Sequence, residues 1–177
     1  LDGSETQITK GDWDVVELKG VNDSKGVVYF TSAEQGAIYR DLYSVKLDGS
    51  SKTQLSTLKG HNDADFSNGM KYYINYYSNA NEPDRISVHN SKGKEIDVLV
   101  DNAALKAKLS TYNLAKKEFI TIKGVEDDLN AFIVKPPNFD PAKKYPVYFN
   151  IYNGPGHNTV SDSWGGSNFL YHELLAQ

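Results

Sequence analysis

Apolar and polar positions along residues 10–100 fall into short alternating or apolar runs, broken by clusters of Asn, Asp, Ser and Gly. That is the pattern of β-strands joined by tight turns. Strands are predicted at Val15–Lys19 and Val27–Thr31, on either side of the turn Asn22-Asp23-Ser24-Lys25-Gly26. Two more are predicted at Asp41–Leu47, ahead of Asp48-Gly49, and at Thr53–Ser56. A second round places strands at Lys71–Tyr77, Arg85–His89 and Glu95–Val100, with a turn at Asn90–Gly93.

The two rounds overlay. Tyr43-Ser44-Val45 matches Ile86-Ser87-Val88 at an offset of 43, since 87 minus 44 is 43. Val27-Val28-Tyr29-Phe30 faces Tyr72-Tyr73-Ile74-Asn75 at an offset of 45, from 72 minus 27. A four-strand unit recurring every ~40–50 residues marks a β-propeller blade. Two copies do not close a propeller, which takes ~4–8 blades. A β-sandwich with coincidental spacing would give the same strands. Either architecture makes this half a scaffold.

After Val100 the pattern changes. Asp101-Asn102 is positioned to cap a short helix running through Leu109, with Leu105 and Leu109 on one face. Phe119–Lys123 and Leu129–Lys135 read as a hairpin about Gly124–Asp128, ended by Pro136-Pro137 because neither proline can donate to a ladder. Tyr145-Pro146 opens a near-continuously apolar strand, Val147–Tyr152, of the kind covered on both faces in an α/β sheet. A closing helix is expected over Asn168–Gln177, with Ser167 as its N-cap and Phe169, Leu170, Leu174 and Leu175 as its inner stripe. Strand, glycine loop, helix is the order of α/β architecture.

The stretch Tyr145–Gly156, YPVYFNIYNGPG, carries the clearest chemistry. In an open α/β sheet, reactive groups gather at the carboxyl ends of strands. A tyrosine hydroxyl there can donate to a developing oxyanion. On strand position alone Tyr152 reads first as a core aromatic, with alternation putting Tyr148, Asn150 and Tyr152 on one side. The loop that follows, Asn153-Gly154-Pro155-Gly156, lets backbone approach closely before turning, and in α/β-hydrolases such a loop furnishes part of the oxyanion hole.

A hydrolase nucleophile is missing. Asp65-Phe66-Ser67-Asn68-Gly69 lacks the first glycine of G-x-S-x-G. Gly165-Gly166-Ser167-Asn168-Phe169 and Gly49-Ser50-Ser51-Lys52-Thr53 lack the second. Asp63-Ala64-Asp65 resembles the start of a calcium loop, but Asn68 and Ile74 stand where glycine and the final carboxylate belong. His157 and His172, with Asp162 between them, match no standard zinc spacing. No metal or other cofactor is expected.

Composition narrows the picture a little. Nineteen basic residues against 23 acidic ones give a net charge of −4, without a basic stripe, which argues against a nucleic-acid partner. The absence of cysteine excludes disulfides and thiol catalysis. No apolar run approaches the ~18 residues that would cross a bilayer. The amino terminus, LDGSETQITK, has neither an initiator methionine nor a basic, apolar leader, as expected of an excised or processed chain.

Several motifs together resemble the dipeptidyl peptidase IV branch of the prolyl oligopeptidase family of serine peptidases. Thr9-Lys10-Gly11-Asp12-Trp13-Asp14-Val15 is similar to the T-x-G-x-W-[ED]-V strand of a late propeller blade, and Asp41-Leu42-Tyr43 to an N/D-L-Y segment. Asp101-Asn102-Ala103-Ala104-Leu105 resembles the stretch leaving the propeller. Pro136-Pro137-Asn138-Phe139-Asp140, Lys144-Tyr145-Pro146 and Ile151-Tyr152-Asn153-Gly154-Pro155 resemble the family's entry into its hydrolase domain.

The resemblance implies the last blades, about two, of a β-propeller over residues 1–110. It implies the N-terminal strands and first helix of an α/β-hydrolase over 111–177, so the class is mainly β with an α/β continuation. It implies a serine exopeptidase, often dimeric and exported or membrane-tethered, that removes short amino-terminal peptides after proline or alanine. Tyr152 matches the family's oxyanion-hole tyrosine, and Asn153 departs from its usual alanine or glycine. The serine, aspartate and histidine of the triad, and the acidic pair that grips the substrate amino terminus, are expected from sequence outside this chain. This piece alone is then expected to hydrolyse nothing and to self-associate through open sheet edges. The alternative is a binding or assembly module of the same architecture that has lost its nucleophile.

Overall fold

In the computed structural model, residues 3–152, 154 and 158–177 are described. Two four-stranded antiparallel sheets dominate them. The first is built from β1 (Val15–Asn22), β2 (Val27–Ser32), β3 (Asp41–Lys46) and β4 (Thr53–Gln54), hydrogen-bonded in chain order. The second repeats the plan with β5 (His61–Phe66), β6 (Tyr72–Asn79), β7 (Glu82–Asn90) and β8 (Glu95–Val100). Each is a four-strand meander, the unit of a propeller blade.

Local chemistry sets the turns. Between β1 and β2, the Asn22 side-chain oxygen accepts from the Ser24 hydroxyl at 2.9 Å and the Lys25 N–H at 3.1 Å. Between β7 and β8, the Asn90 side chain accepts from the N–H groups of Lys92 and Lys94, and Gly93 takes a φ of 85°. Side-chain capture of nearby N–H groups is why Asn recurs at such bends.

The sheets meet along β3 and β5. Arg40 and His61 form a parallel bridge, and the Asn62 N–H donates to the Arg40 carbonyl at 2.9 Å. Tyr29, Leu42 and Leu55 of the first sheet region pack with Ala64 and Tyr73 of the second, all at most 2% exposed. Gly60 sits at this junction with a φ of 150°, where any Cβ would strike the Ser78 carbonyl. A second cluster, Val28, Phe30, Tyr43 and Val45, lies within the first sheet and is covered by Ile8 and Trp13.

One strand was not anticipated. β5, with sequence HNDADF, contains the Asp63-Ala64-Asp65 run and pairs with β6 from His61↔Ser78 to Phe66↔Tyr73. Asp63 forms an ion pair with Lys19 of β1, so this run is a strand joining the sheets and not an ion-binding loop.

Beyond Val100 come α1 (Ala103–Leu109), a hairpin of β9 (Lys117–Ile122) and β10 (Leu129–Val134), and α2 (Ser167–Leu175). Five expectations need correction here. Of the expected capping pair, Asp101 takes the role, its carboxylate accepting the Ala103 N–H at 2.9 Å, while Asn102 at the N-cap position donates its amide to the Asp84 carbonyl at 2.6 Å instead. No residue of α1 is buried, so Leu105 and Leu109 form no inner face.

On α2, Gly166 takes the N-cap position and Ser167 begins the helix. Its buried positions are Phe169 and Glu173, followed by Ala176 just past the helix, while Leu170, Leu174 and Leu175 face outward. The reason is a hydrogen bond: the Glu173 carboxylate accepts the Ala115 N–H at 2.7 Å and turns that face inward. The strand predicted at Val147–Tyr152 does not form either. A strand exists through its ladder partners, and β9–β10, the nearest sheet in sequence, pairs only with itself.

Candidate functional site

Tyr152 ends an apolar stretch that lies open. Val147, Tyr148, Phe149 and Ile151 are all exposed, Phe149 by 75%, and Tyr152 itself is 58% exposed. It is therefore no core aromatic in this chain. Its hydroxyl lies over Gly154, where an added Cβ would collide with the phenol oxygen. A side chain at 154 would have to displace the exposed Tyr152 ring, so the ring and the loop backbone approach closely here. Asn153, Pro155 and Gly156, the other predicted loop residues, and His157 lie outside the described residues.

Downstream of Tyr152 the chain returns to the two sheets and is held there. The Asn158 amide donates to the Ala37 carbonyl at 2.9 Å, in the connection between β2 and β3. The Asp162 N–H donates to the Ile38 carbonyl at 2.8 Å. The Asp162 carboxylate accepts the Ala80 N–H at 2.7 Å, at the bend between β6 and β7. The Trp164 N–H donates to the Ser78 hydroxyl at 3.3 Å, and the buried indole stacks on Phe169 of α2 with ring centroids 4.0 Å apart.

The hairpin is tied to the same bend. The Asn81 side chain accepts the Lys117 N–H at 3.0 Å and donates to the Lys117 carbonyl at 3.3 Å. The Lys117 ammonium donates to the Ser163 carbonyl at 3.3 Å and sits 4.8 Å from the centre of the Phe132 ring. Burial pulls the Lys117 pKa below its usual value, and the nearby Asp162 carboxylate partly restores it.

The remaining candidates are dispersed. Ser67 closes the turn between β5 and β6, with its hydroxyl accepting the Tyr72 N–H at 3.2 Å. Ser51 has a φ of 55° in the loop before β4, and Ser167 opens α2. His172 lies on α2 beside Phe132, where burial lowers its pKa and the Lys117 charge adds to the effect. Among the described residues no three His, Cys, Asp or Glu side chains converge as metal ligands, and no helix is long and apolar enough to cross a membrane.

The anchors at Asn158 and Asp162 escaped the sequence reading. Their only signal is a polar pair, Asn158 and Asp162, flanking Thr159-Val160-Ser161 just after a Gly-Pro-Gly loop. That pattern gives no hint of which distant carbonyl or N–H is reached.

Comparison with known proteins follows the same geography. Residues 1–84 match the family model described as the dipeptidyl peptidase IV N-terminal region. A crystal structure of dipeptidyl peptidase 4 from Porphyromonas gingivalis superposes on 98% of the chain with a TM-score of 0.90 and 43% identity. The chain belongs to the dipeptidyl peptidase IV-like family. Dipeptidyl peptidase 4 from Trichophyton equinum and that from Trichophyton rubrum are each 39% identical over 172 residues, 94% of this chain. The chain spans 22% of those two fungal relatives and 24% of the bacterial one. The fold is accordingly mainly β, with two sheets of the family's propeller region.

Proposed function

We propose that this chain is the stretch of a dipeptidyl-peptidase-type serine exopeptidase in which a β-propeller passes into an α/β-hydrolase domain. Residues 1–110 supply two blades, and residues 111–177 begin the hydrolase. The exposed apolar stretch Val147–Ile151 and the outward leucines of α2 support that division, because both are surfaces for further sheet and helix to cover. The single observation that carries the reading is the match of 98% of the chain to a dipeptidyl peptidase 4 with a TM-score of 0.90.

Within that enzyme the role of Tyr152 is electrostatic. As a serine from elsewhere in the protein attacks the scissile carbonyl, negative charge grows on the carbonyl oxygen. The Tyr152 O–H donates to that oxygen, and it does so more strongly in the tetrahedral intermediate than in the ground state. A donor of this kind lowers the barrier without needing to bind the substrate tightly. The proposed substrates are peptides with proline or alanine second from the amino terminus, and the proposed assembly is a homodimer.

The experiment is product analysis by mass spectrometry with the full-length protein and peptides carrying Xaa-Pro or Xaa-Ala at the amino terminus. Release of intact dipeptides is expected, with no cleavage by the isolated chain. A full-length protein that binds such peptides and cleaves none would be the nucleophile-free binding module instead.

A further inference from the structure

We propose that Asn68 is a site of spontaneous covalent modification, losing its side-chain amide through a cyclic imide to leave aspartate or isoaspartate where the two sheets meet. Asn68-Gly69 stands at the tip of the turn between β5 and β6, closed by the Met70 N–H donating to the Ser67 carbonyl at 2.9 Å. Both residues of the pair are exposed. Among the described residues no acceptor takes the Gly69 N–H, and no group bonds the Asn68 side chain. Gly69 has a φ of 77°, and no atom lies within 4 Å of where a Cβ would stand. Nucleophile and electrophile are thus adjacent in the chain, open to water and uncommitted, with room for a ring to close.

The reaction needs water and nothing else. The Gly69 backbone nitrogen attacks Asn68 Cγ and forms a new C–N bond. The bond from Cγ to the amide nitrogen breaks, and that nitrogen leaves as ammonia with the proton from the Gly69 N–H. Water then opens the imide. Opening at Cγ gives aspartate, and opening at the backbone carbonyl gives isoaspartate, whose main chain runs through Cγ and is longer by one carbon. Either product adds a negative charge.

Other asparagines are held away from this chemistry. The Asn90 side chain accepts from the N–H groups of Lys92 and Lys94, and the Ser91 N–H, the nucleophile there, donates to the Lys71 carbonyl at 3.0 Å. Asn62 is 1% exposed, donates to the Arg40 and Leu58 carbonyls and accepts from the Asn75 amide. The turn at Asn68 also reaches the first sheet. The Asn22 amide donates to the Gly69 carbonyl at 3.3 Å, and Met70 packs on the cluster between the sheets with its methyl against Gly20. An extra main-chain carbon at position 68 moves that carbonyl off Asn22 and loosens the seam.

The test follows the full-length protein through incubation at mildly alkaline pH, with tryptic peptide mapping and fragmentation to assign each site. Peptide Gly60–Lys71 carries Asn62 and Asn68, and Ile86–Lys92 carries Asn90. The same peptides free in solution give the unfolded rates. Folding is expected to slow Asn90 by more than about tenfold, since three hydrogen bonds hold its reacting groups, and to leave Asn68 within about tenfold of its free peptide. Asn68→Gln should abolish the product in Gly60–Lys71. In the converted fraction, separated by its added charge, hydrogen exchange across Ser67–Tyr72 should rise. Folding that slows Asn68 as strongly as Asn90 would overturn the inference, as would a product that survives Asn68→Gln and so belongs to Asn62. Unchanged exchange in the converted fraction would overturn the link to the seam.

Discussion

The Glu173 carboxylate accepts the Ala115 N–H at 2.7 Å, and both residues are buried. This one bond decides which face of α2 turns inward and fixes the helix to the connection between α1 and β9. Burial raises the Glu173 pKa above 4.5, and the hydrogen bond from Ala115 opposes the rise. With the folded pKa above the unfolded one, the native state holds the proton more tightly. Stability is then greater below that window and falls as pH rises through it.

Glu173→Gln retains an acceptor for Ala115 and abolishes the titration. Its stability in urea unfolding should equal or exceed that of the parent at about pH 7, and its change between about pH 5 and about pH 7 should be flatter. Glu173→Ala instead leaves the Ala115 N–H buried and unpaired, at a cost of about 1–3 kcal/mol. Equal stability for the two variants would deny the bond its structural role.

Ser56 makes a second prediction. Its hydroxyl donates to the Asp41 carboxylate at 2.8 Å and accepts the Leu42 N–H at 3.1 Å, all within the buried end of the first sheet. Burial raises the Asp41 pKa, while the bonds from Ser56 and Gln54 restrain it. Ser56→Ala should cost about 1–3 kcal/mol and push the Asp41 pKa higher, as followed by a carboxyl NMR titration. A downward shift would contradict the arrangement.

Leu42 is fully buried between the sheets, in contact with groups from both. Leu42→Ala should cost about 2–5 kcal/mol, from reduced burial plus the cavity left behind. Thermal or urea unfolding reads this directly, and a cost below about 1 kcal/mol would mean that the sheets close over the gap.

How much of this was legible in the sequence differs element by element. β2, β3, β7 and β8 were readable because their apolar residues and their Asn/Gly turns are local signals. β5 was not, because HNDADF looks like a turn. Its inward residues, Asn62 and Ala64, are polar or small, and its strand character comes from pairing with β6 and from the Arg40 bridge. The inner face of α2 was misread because leucines outrank a glutamate in any hydrophobic pattern, and the Ala115 N–H that draws Glu173 inward is 58 residues away. Tyr152 was singled out as a candidate from its neighbours Gly154 and Pro155, which local pattern does reveal. The anchors on Ile38 and Ala80 lie more than 80 residues from Asp162, a distance over which sequence pattern is silent.

Exposed edges lead to a physical prediction about the chain in isolation. β8 ends the second sheet with Ile96, Val98, Leu99 and Val100 exposed, and α2 presents Leu170, Leu174 and Leu175. Unpaired strand edges beside apolar surface recruit other copies. Sedimentation of the isolated chain should show concentration-dependent association, and a clean monomer at high concentration would count against this.

The most direct measurement is the turnover of the full-length enzyme on an Xaa-Pro amide with Tyr152→Phe, which removes one hydroxyl and keeps the ring. The account predicts a fall of about 10²–10³ in kcat with KM nearly unchanged. A variant that turns over at the parental rate would show that the Tyr152 hydroxyl does not stabilise the oxyanion.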